Sequence, residues 1–268
     1  MEKQPVLFLG AGPGDPELIT VKGMLALKEA DLVLYAGSLV PEAVTEWARE
    51  GARRVSSAGM HLDEIVDMMK EAWSTGLRVV RLHSGDPSLY GAITEQIARL
   101  EAEGIGCRII PGVTAAFAAA AALGVEYTLP ETCQTLIFTR ISGRTRVPGA
   151  EDLDSLAAHQ ASLAVYLSSG MADRVAPVLE RHYGKDAPVV VAYRVSQPGQ
   201  RLIWTTPAEL AETMERHGID RQALIIAGKT LVGPGGANLA SRLYDKTYSH
   251  DFRASSPDCA EPGSWNGP

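Results

Sequence analysis

Two loops of similar composition carry the residues that could do chemistry. Residues 10–16 read GAGPGDP and residues 84–91 read SGDPSLYG, so each loop joins glycines to an aspartate and a proline. Glycine lets a ligand approach the backbone closely, and the Asp86 carboxylate can accept a hydrogen bond from an amine or a hydroxyl. Aspartate also favours the cap of a following helix, so the residues alone leave a ligand role and a capping role open for Asp86.

The first loop has the position of a dinucleotide-binding loop but not its composition. A G-x-G-x-x-G pattern requires glycine where Asp15 stands, and Pro13 has no N–H to offer a phosphate. The following strand ends in residues 35–37 (YAG), without the acid that would bind a ribose. The loop therefore predicts either a tight turn alone or one wall of a site for a neutral or cationic ligand.

A third loop of the same design follows at residues 110–115 (IPGVTA), where Thr114 can offer a hydroxyl at a helix start. All three loops come directly after apolar segments typical of strands. In open α/β sheets, ligands bind outside the carboxyl ends of the strands. Three such loops at one sheet edge predict one shared site.

The elements that must position these loops alternate along the N-terminal half. Strands are predicted at 6–9, 32–35, 78–82 and 107–110, with helices over 20–30, 62–73 and about 93–100. This alternation indicates a parallel sheet with right-handed crossovers. The alanine-rich segment 113–123 predicts a helix packed closely on a sheet, at the passage between two lobes.

The second half indicates a mixed α+β lobe with antiparallel pairs. Residues 196–200 (SQPGQ) favour a hairpin loop, and residues 206–209 (TPAE) are typical of a helix start, with Thr206 as the cap. We predict domains at 1–118 and 119–232 and a loose tail at 233–268 with one short helix near 238–244. The predicted strands are 134–139, 163–167, 188–195, 201–205 and 223–231, and the predicted helices are about 171–183 and 207–217.

The charge and composition of the chain limit the classes of partner that it is expected to bind. The net charge of the 268 residues is −7 with no long basic run, which argues against nucleic acid. No apolar run approaches the roughly 18 residues that span a bilayer, and the start does not resemble a signal peptide. The three cysteines are far apart and have neither disulfide-framework nor metal-ligand spacing, which favours a cytoplasmic protein without a protein-bound metal.

The segments GAGPGDPELIT, SGDPSLYGA and PGVTA, in this order, resemble the tetrapyrrole methylases, which transfer methyl groups from S-adenosylmethionine during sirohaem and cobalamin synthesis. The resemblance runs from about residue 6 to 231. It implies a two-lobed α/β fold, a parallel-sheet N-terminal lobe and a mixed-sheet C-terminal lobe, with the cofactor in the cleft, S-adenosylhomocysteine as product, a tetrapyrrole substrate and a homodimer.

The segments GDPSLYGAITEQ and LYAGSLVPE are most similar to members that methylate carbon 11 of a ring-contracted precorrin on the way to cobalamin. Members that make precorrin-2 carry an acid where Ala36 stands here, so a uroporphyrinogen substrate is not expected. The resemblance implies that the cofactor is bound by residues of both lobes, with Leu167 where relatives often have methionine. These are Pro13, Ser84, Gly85, Asp86, Leu89, Tyr90, Thr114, Ala115, Leu167, Tyr193, Arg194 and Ala227.

Methyl transfer from a sulfonium is an in-line displacement, so the protein has mainly to align the nucleophilic carbon with the methyl group. Candidate catalytic residues are His61, Tyr90 and Asp86. The alternative for His61 is an exposed residue at a helix start, and for Tyr90 a packed aromatic ring.

Arginine suits the carboxylates that a precorrin carries. The basic cluster Arg140, Arg144 and Arg146 is the candidate clamp for them, with Arg53 as a weaker one, and a solvated loop is the alternative. Other functions stay open: a methyltransferase of this fold acting on another precorrin, on RNA or on a protein, or a non-catalytic sensor of adenosyl ligands. The sequence also leaves open whether the substrate carries cobalt.

Overall fold

The computed structural model describes residues 4–232, and its first half is built on a five-stranded parallel sheet. The strand order is β3-β2-β4-β1-β5, and every pairing in it is parallel, which confirms the prediction. Strand β3 was not predicted, because three of its four residues are exposed at the sheet edge and it lacks an apolar run. The strands are β1 (Val6–Gly10), β2 (Leu32–Tyr35), β3 (Arg53–Ser56), β4 (Val79–His83) and β5 (Cys107–Ile110).

Three helices follow strands of this sheet: α1 (Val21–Glu29), α2 (Leu62–Ser74) and α3 (Ile93–Ala102). Helix α1 begins where the Thr20 hydroxyl accepts a hydrogen bond from the Gly23 amide at 3.1 Å. Helices α2 and α3 bury one apolar face each against the sheet, in a core with Phe8 and Leu34 at its centre. A 3₁₀ helix at Glu42–Trp47 lies between β2 and β3.

The second half contains a mixed five-stranded sheet, in the order β6-β7-β10-β8-β9. Strands β6 and β7 are parallel, and the remaining pairs are antiparallel, including the predicted hairpin of β8 and β9. Strand β10 ends at Ala227 and not at residue 231, because Gly228 turns the backbone at a φ of +151°. The strands are β6 (Leu136–Thr139), β7 (Ser162–Val165), β8 (Val189–Tyr193), β9 (Arg201–Thr205) and β10 (Ala223–Ala227).

Helices α5 (Leu153–Ala157), α6 (Ala172–Tyr183) and α7 (Leu210–Arg216) cover one face of this sheet. Helix α5, five residues long, was not predicted. Thr206 does lie at the predicted cap position, but its side chain accepts no capping hydrogen bond, and Pro207–Glu209 forms a 3₁₀ turn before α7. The domain division at residue 118 stays a prediction, and the predicted tail and its short helix lie outside the described residues.

The alanine-rich segment forms α4 (Ala115–Leu123), as predicted, and lies on the other face of the second sheet. Ala116 and Ala119 are fully buried there, and their small side chains let the helix approach the sheet closely. Helix α4 starts from the third strand-end loop of the first sheet, so it links the two sheets directly. Within residues 4–232, no helix has the length and hydropathy required to cross a membrane.

Candidate active site

Glycines hold the three strand-end loops in direct contact. The backbones of Gly12 and Gly85 form an isolated antiparallel bridge, with hydrogen bonds of 3.3 and 2.8 Å. A methyl group added at Gly112 would lie 2.1 Å from the Gly85 carbonyl oxygen, and one added at Gly10 would lie 2.5 Å from the same oxygen. The loops after β1, β4 and β5 therefore meet as predicted, at a spacing that only glycine permits.

The Asp86 carboxylate ties two of these loops together. One oxygen accepts the Ser88 amide at 2.8 Å within its own turn, and the other accepts the Gly112 amide at 2.9 Å across to the third loop. With both oxygens engaged by backbone N–H groups, Asp86 positions the loops instead of standing free as a base.

The first Gly-Asp-Pro loop contacts the second sheet. The Gln197 amide group donates to the Pro13 carbonyl at 3.0 Å, and the Asp15 amide donates to the Ser196 hydroxyl at 3.1 Å. The Asp15 side chain accepts one hydrogen bond, from the Glu17 amide, as the cap of a short 3₁₀ turn. Pro13 is thereby placed between the two sheets.

A second set of hydrogen bonds joins the third loop to Tyr166, the residue that follows β7. The Tyr166 hydroxyl lies 2.7 Å from the Thr114 hydroxyl and accepts the Ala116 amide at 3.1 Å. Its ring also packs against Tyr90, with the ring centroids 5.7 Å apart. Burial raises the pKa of Tyr166, so its hydroxyl stays protonated at neutral pH.

Between the two sheets lies a cleft of about 810 Å³ that the strand-end loops line. It contains all but two of the residues to which the resemblance assigns the cofactor. They are Pro13, Ser84, Gly85, Asp86, Leu89, Tyr90, Thr114, Ala115, Leu167 and Arg194.

Several cleft residues hold the left-handed backbone conformation, which residues other than glycine seldom adopt. Tyr90, Ala92, Leu167, Arg194 and Gln222 have φ angles between 47° and 57° and all line the cleft. Backbone strain of this kind is common at ligand-binding sites, where the surrounding structure keeps the strained conformation in place.

Tyr193 and Ala227 do not line the cleft, although the resemblance assigns them to the cofactor. Both belong to the core on the far face of the second sheet, against α5, α6 and α7, and Arg201 covers the Tyr193 ring at 4.7 Å. Their strand neighbours Ala192 and Ile226 belong to the core against α4, on the opposite face, and Ala192 also lines the cleft. Successive side chains of a strand point to opposite faces, so a shift of one residue exchanges the two sets.

His61 also lies outside the cleft lining. It caps α2 in a reciprocal pair, in which its backbone amide donates to the Glu64 carboxylate at 2.9 Å and its ring accepts the Glu64 amide. Its side chain is 68% exposed, which matches the exposed helix-start alternative.

The arginines predicted to clamp carboxylates lie at the rim or away from the cleft. The Arg140 guanidinium donates to the carbonyls of Thr145 and Arg146 at 3.1 Å each, which closes the loop. Arg144 and Arg146 are exposed and do not line the cleft. Arg53 begins β3, at the sheet edge opposite the carboxyl ends of the strands, so the structure does not bring it to the site.

The loop that carries Arg140 does lie near Tyr90. Burial raises the pKa of the Tyr90 hydroxyl, the positive charge of Arg140 opposes this effect and the negative charge of Glu151 adds to it. Tyr90 is 43% exposed and lines the cleft, so this loop lies beside its mouth.

Sequence reasoning missed two buried basic residues of β4 that line the same cleft. Arg81 is 5% and His83 is 4% exposed. Burial lowers the pKa of Arg81 to about 10, and burial together with the nearby charge of Arg81 lowers the pKa of His83 to about 3. At neutral pH, Arg81 is therefore charged and His83 is neutral. The feature of the sequence that could have indicated them is the pair of basic residues at alternate positions of an otherwise apolar strand.

The cleft combines apolar surface with charged side chains of both signs. Among its described lining residues there is no lysine, and the charged side chains are three arginines and three acids. Apolar side chains such as Leu89 and Leu167 offer surface for a flat ring. Of the buried side-chain nitrogens and oxygens in residues 4–232, two have no hydrogen-bond partner, His83 Nε2 and Arg194 Nε, and both residues line this cleft.

Comparison with known proteins agrees with this geometry. The chain is 46% identical over 248 residues to the precorrin-4 C(11)-methyltransferase of Pseudomonas aeruginosa, covering 92% of this chain and 98% of the relative. The X-ray structure of a cobalt precorrin-4 methyltransferase of cobalamin biosynthesis superposes with a TM-score of 0.81 at 45% identity, covering 84% of this chain and 95% of that one.

A uroporphyrin-III C-methyltransferase from Thermus thermophilus, solved in complex with S-adenosylhomocysteine, superposes with a TM-score of 0.68 at 28% identity, covering 85% of this chain and 93% of that one. The model of the tetrapyrrole (corrin/porphyrin) methylases matches residues 5–211. Both sheets and the three strand-end loops lie wholly or mostly within that range. The chain belongs to the tetrapyrrole methylase family.

Proposed function

We propose that the chain is an S-adenosylmethionine-dependent methyltransferase that methylates carbon 11 of precorrin-4, or of its cobalt form, to give precorrin-5 in cobalamin synthesis. The observation that carries the proposal is the 46% identity, over nearly the whole of both chains, to a relative that bears this name. The cleft supports it, because it brings together residues of both sheets to which the resemblance assigns the cofactor.

S-adenosylmethionine supplies an activated methyl group on a sulfonium. In the proposal, the loop of Ser84, Gly85 and Asp86 holds the methionine part, because its backbone is open to the cleft and Asp86 fixes it to the third loop. Leu167, Arg194 and Pro13 hold the remainder from the second sheet and the first loop. This assignment fits the orphaned Arg194 Nε and the left-handed backbone of Leu167 and Arg194.

In this proposal, the enzyme accelerates methyl transfer by aligning the substrate carbon with the methyl group, and no strong base is required. Tyr90 lies at the mouth and contacts the substrate, while Asp86 acts as a positioning residue through its two backbone hydrogen bonds. Arg140 contacts a carboxylate arm at the rim. His61, which caps α2 outside the cleft, has no part in the proposed mechanism.

The proposal includes a homodimer in the cytoplasm, on the basis of the family resemblance and of three widely separated cysteines. Light scattering on the purified protein tests the oligomeric state. A mass of one chain, 28.6 kDa, would contradict the dimer.

Two measurements in sequence test the function. Calorimetry with S-adenosylhomocysteine should show one site per chain, and incubation with S-adenosylmethionine should add one methyl mass to precorrin-4 or cobalt-precorrin-4. Binding without transfer to any tetrapyrrole would favour the sensor of adenosyl ligands. Transfer to RNA or protein alone would favour the macromolecular methyltransferases of this fold.

A further inference from the structure

The floor of the cleft contains a buried cation without an anionic partner. The Arg81 Nε donates to Gln96 Oε1 at 3.1 Å, and its Nη1 donates to the Leu34 carbonyl at 3.2 Å. Both acceptors are neutral. Among residues 4–232, no carboxylate forms an ion pair with Arg81. A buried charge of this kind is unfavourable unless an opposite charge compensates it.

Two neighbours hold the Arg81 side chain in place. Gln96 of α3 is itself 5% exposed, and its amide group donates to the Ala92 carbonyl at 3.0 Å. Leu34 belongs to the adjacent strand β2. The guanidinium is therefore preorganised at a fixed position, which reduces the entropy lost when an anion binds.

His83 stands beside Arg81 on the same face of β4, because the two residues are two positions apart in a strand. Its ring stacks on Phe8 with the centroids 5.9 Å apart, and its Nε2 is buried without a hydrogen-bond partner. Leu62 and Ile65 of α2 line the same part of the cleft with apolar surface. The cleft floor thus combines one cation and one unsatisfied ring nitrogen within apolar walls.

We propose that Arg81 binds one carboxylate arm of the tetrapyrrole at the floor of the cleft, with His83 Nε2 as a second hydrogen-bond donor to that arm. The inference rests on the proposed function and names a substrate contact within it. A carboxylate would supply the missing counter-charge, and the neutral imidazole can carry its proton on Nε2. The arm would then fix the macrocycle in one orientation relative to the methyl donor.

Gln96→Glu tests this contact with little change in side-chain shape. The new carboxylate would take the place of Gln96 Oε1, 3.1 Å from Arg81 Nε, and would compete with the substrate arm. We expect a Kd for cobalt-precorrin-4 raised at least about tenfold, measured by visible absorbance in the presence of S-adenosylhomocysteine. The Tm is not the readout, because the new carboxylate gains Arg81 as a partner but loses the hydrogen bond that the Gln96 amide donates to the Ala92 carbonyl. The Kd of S-adenosylhomocysteine itself should stay within about twofold of the wild-type value.

Gln134→Glu is the matched control, because it adds the same charge at an exposed position outside the cleft lining. Arg81→Lys should weaken cobalt-precorrin-4 binding less than Arg81→Met, because lysine keeps the positive charge, although it cannot form the paired hydrogen bonds of a guanidinium. A folded Gln96→Glu variant with an unchanged Kd for cobalt-precorrin-4 would overturn the inference. A wild-type protein that binds S-adenosylhomocysteine but no precorrin would overturn the proposed function and, with it, this contact.

Discussion

At the residue scale, the Asp86 and Asp15 carboxylates differ in how many hydrogen bonds they accept from backbone amides. Asp86 accepts two, one of them from Gly112 on another loop, whereas the Asp15 side chain accepts one, from Glu17 in its own turn. The two Gly-Asp-Pro loops look alike in the sequence, but the first docks on the second sheet and the second ties the sheet-edge loops together.

Asp86→Asn should destabilise the protein by about 1–2 kcal/mol, because the amide has one acceptor oxygen for two backbone donors and leaves one N–H unsatisfied. The Kd of S-adenosylhomocysteine should rise roughly tenfold, since a loss of about 1.4 kcal/mol corresponds to that factor. Urea unfolding and calorimetry measure the two effects. Asp15→Asn, which can keep its single hydrogen bond, is the control, and equal losses in both variants would refute the positioning role.

His83 should make stability depend on pH. Its folded pKa of about 3 lies below the ordinary histidine pKa of 6.5, so the unfolded chain binds the proton more readily and stability is lost as the pH falls below 6.5. From pH 7 to pH 5, the wild type should lose about 2 kcal/mol more than His83→Phe, which keeps a ring on Phe8 but does not titrate. Urea unfolding at both pH values checks this, and identical losses would contradict it.

Sequence motifs place the three strand-end loops at one sheet edge, because each loop follows an apolar strand of the same parallel sheet. They fail for Tyr193 and Ala227, where a shift of one residue moves a side chain to the other face of a sheet. They also miss Arg81 and His83, because the burial of these side chains depends on how α2 and α3 pack over β4 and not on the composition of the strand itself.

At the scale of elements, the predictable strands are those with a continuous apolar run. Strands β1 and β2 are short runs of apolar residues, each buried at all but one position, so composition alone identifies both. Strand β3 lies at the sheet edge and exposes three of its four residues, and α5 spans one and a half turns. Neither leaves a periodic pattern, because pairing and packing with distant elements, more than local sequence, hold them in place.

The contact of the three strand-end loops makes Gly112 intolerant of a side chain. In Gly112→Ala the added methyl group would lie 2.1 Å from the Gly85 carbonyl oxygen and 2.8 Å from the Gly10 Cα, and both are backbone atoms. We expect a loss of about 3 kcal/mol in the free energy of unfolding, measured with urea. Gly149→Ala, with nothing within 4 Å of the added carbon, should change it little, and a similar loss in both variants would contradict this account.

At the scale of the whole molecule, the cleft exists because two sheets of different topology meet through α4 and through hydrogen bonds between their loops. Pro13 with Gln197 and Thr114 with Tyr166 join the loops of the first sheet to segments that follow β8 and β7. The alternation of strands and helices predicted the first sheet, and the hairpin loop at residues 196–200 indicated antiparallel pairs in the second. The way they face each other could not be predicted from local pattern, because it depends on contacts between residues about 50 and 184 positions apart.

The central claim is methyl transfer to carbon 11, and the position of a labelled methyl group tests it most directly. The purified protein is incubated with cobalt-precorrin-4 and, separately, with precorrin-4, each with S-adenosylmethionine carrying a ¹³C-methyl group, and the product is examined by NMR. We predict one new ¹³C-methyl signal bonded to carbon 11 from at least one of the two substrates. A labelled methyl group on any other carbon, or unlabelled tetrapyrrole from both incubations, would contradict the account.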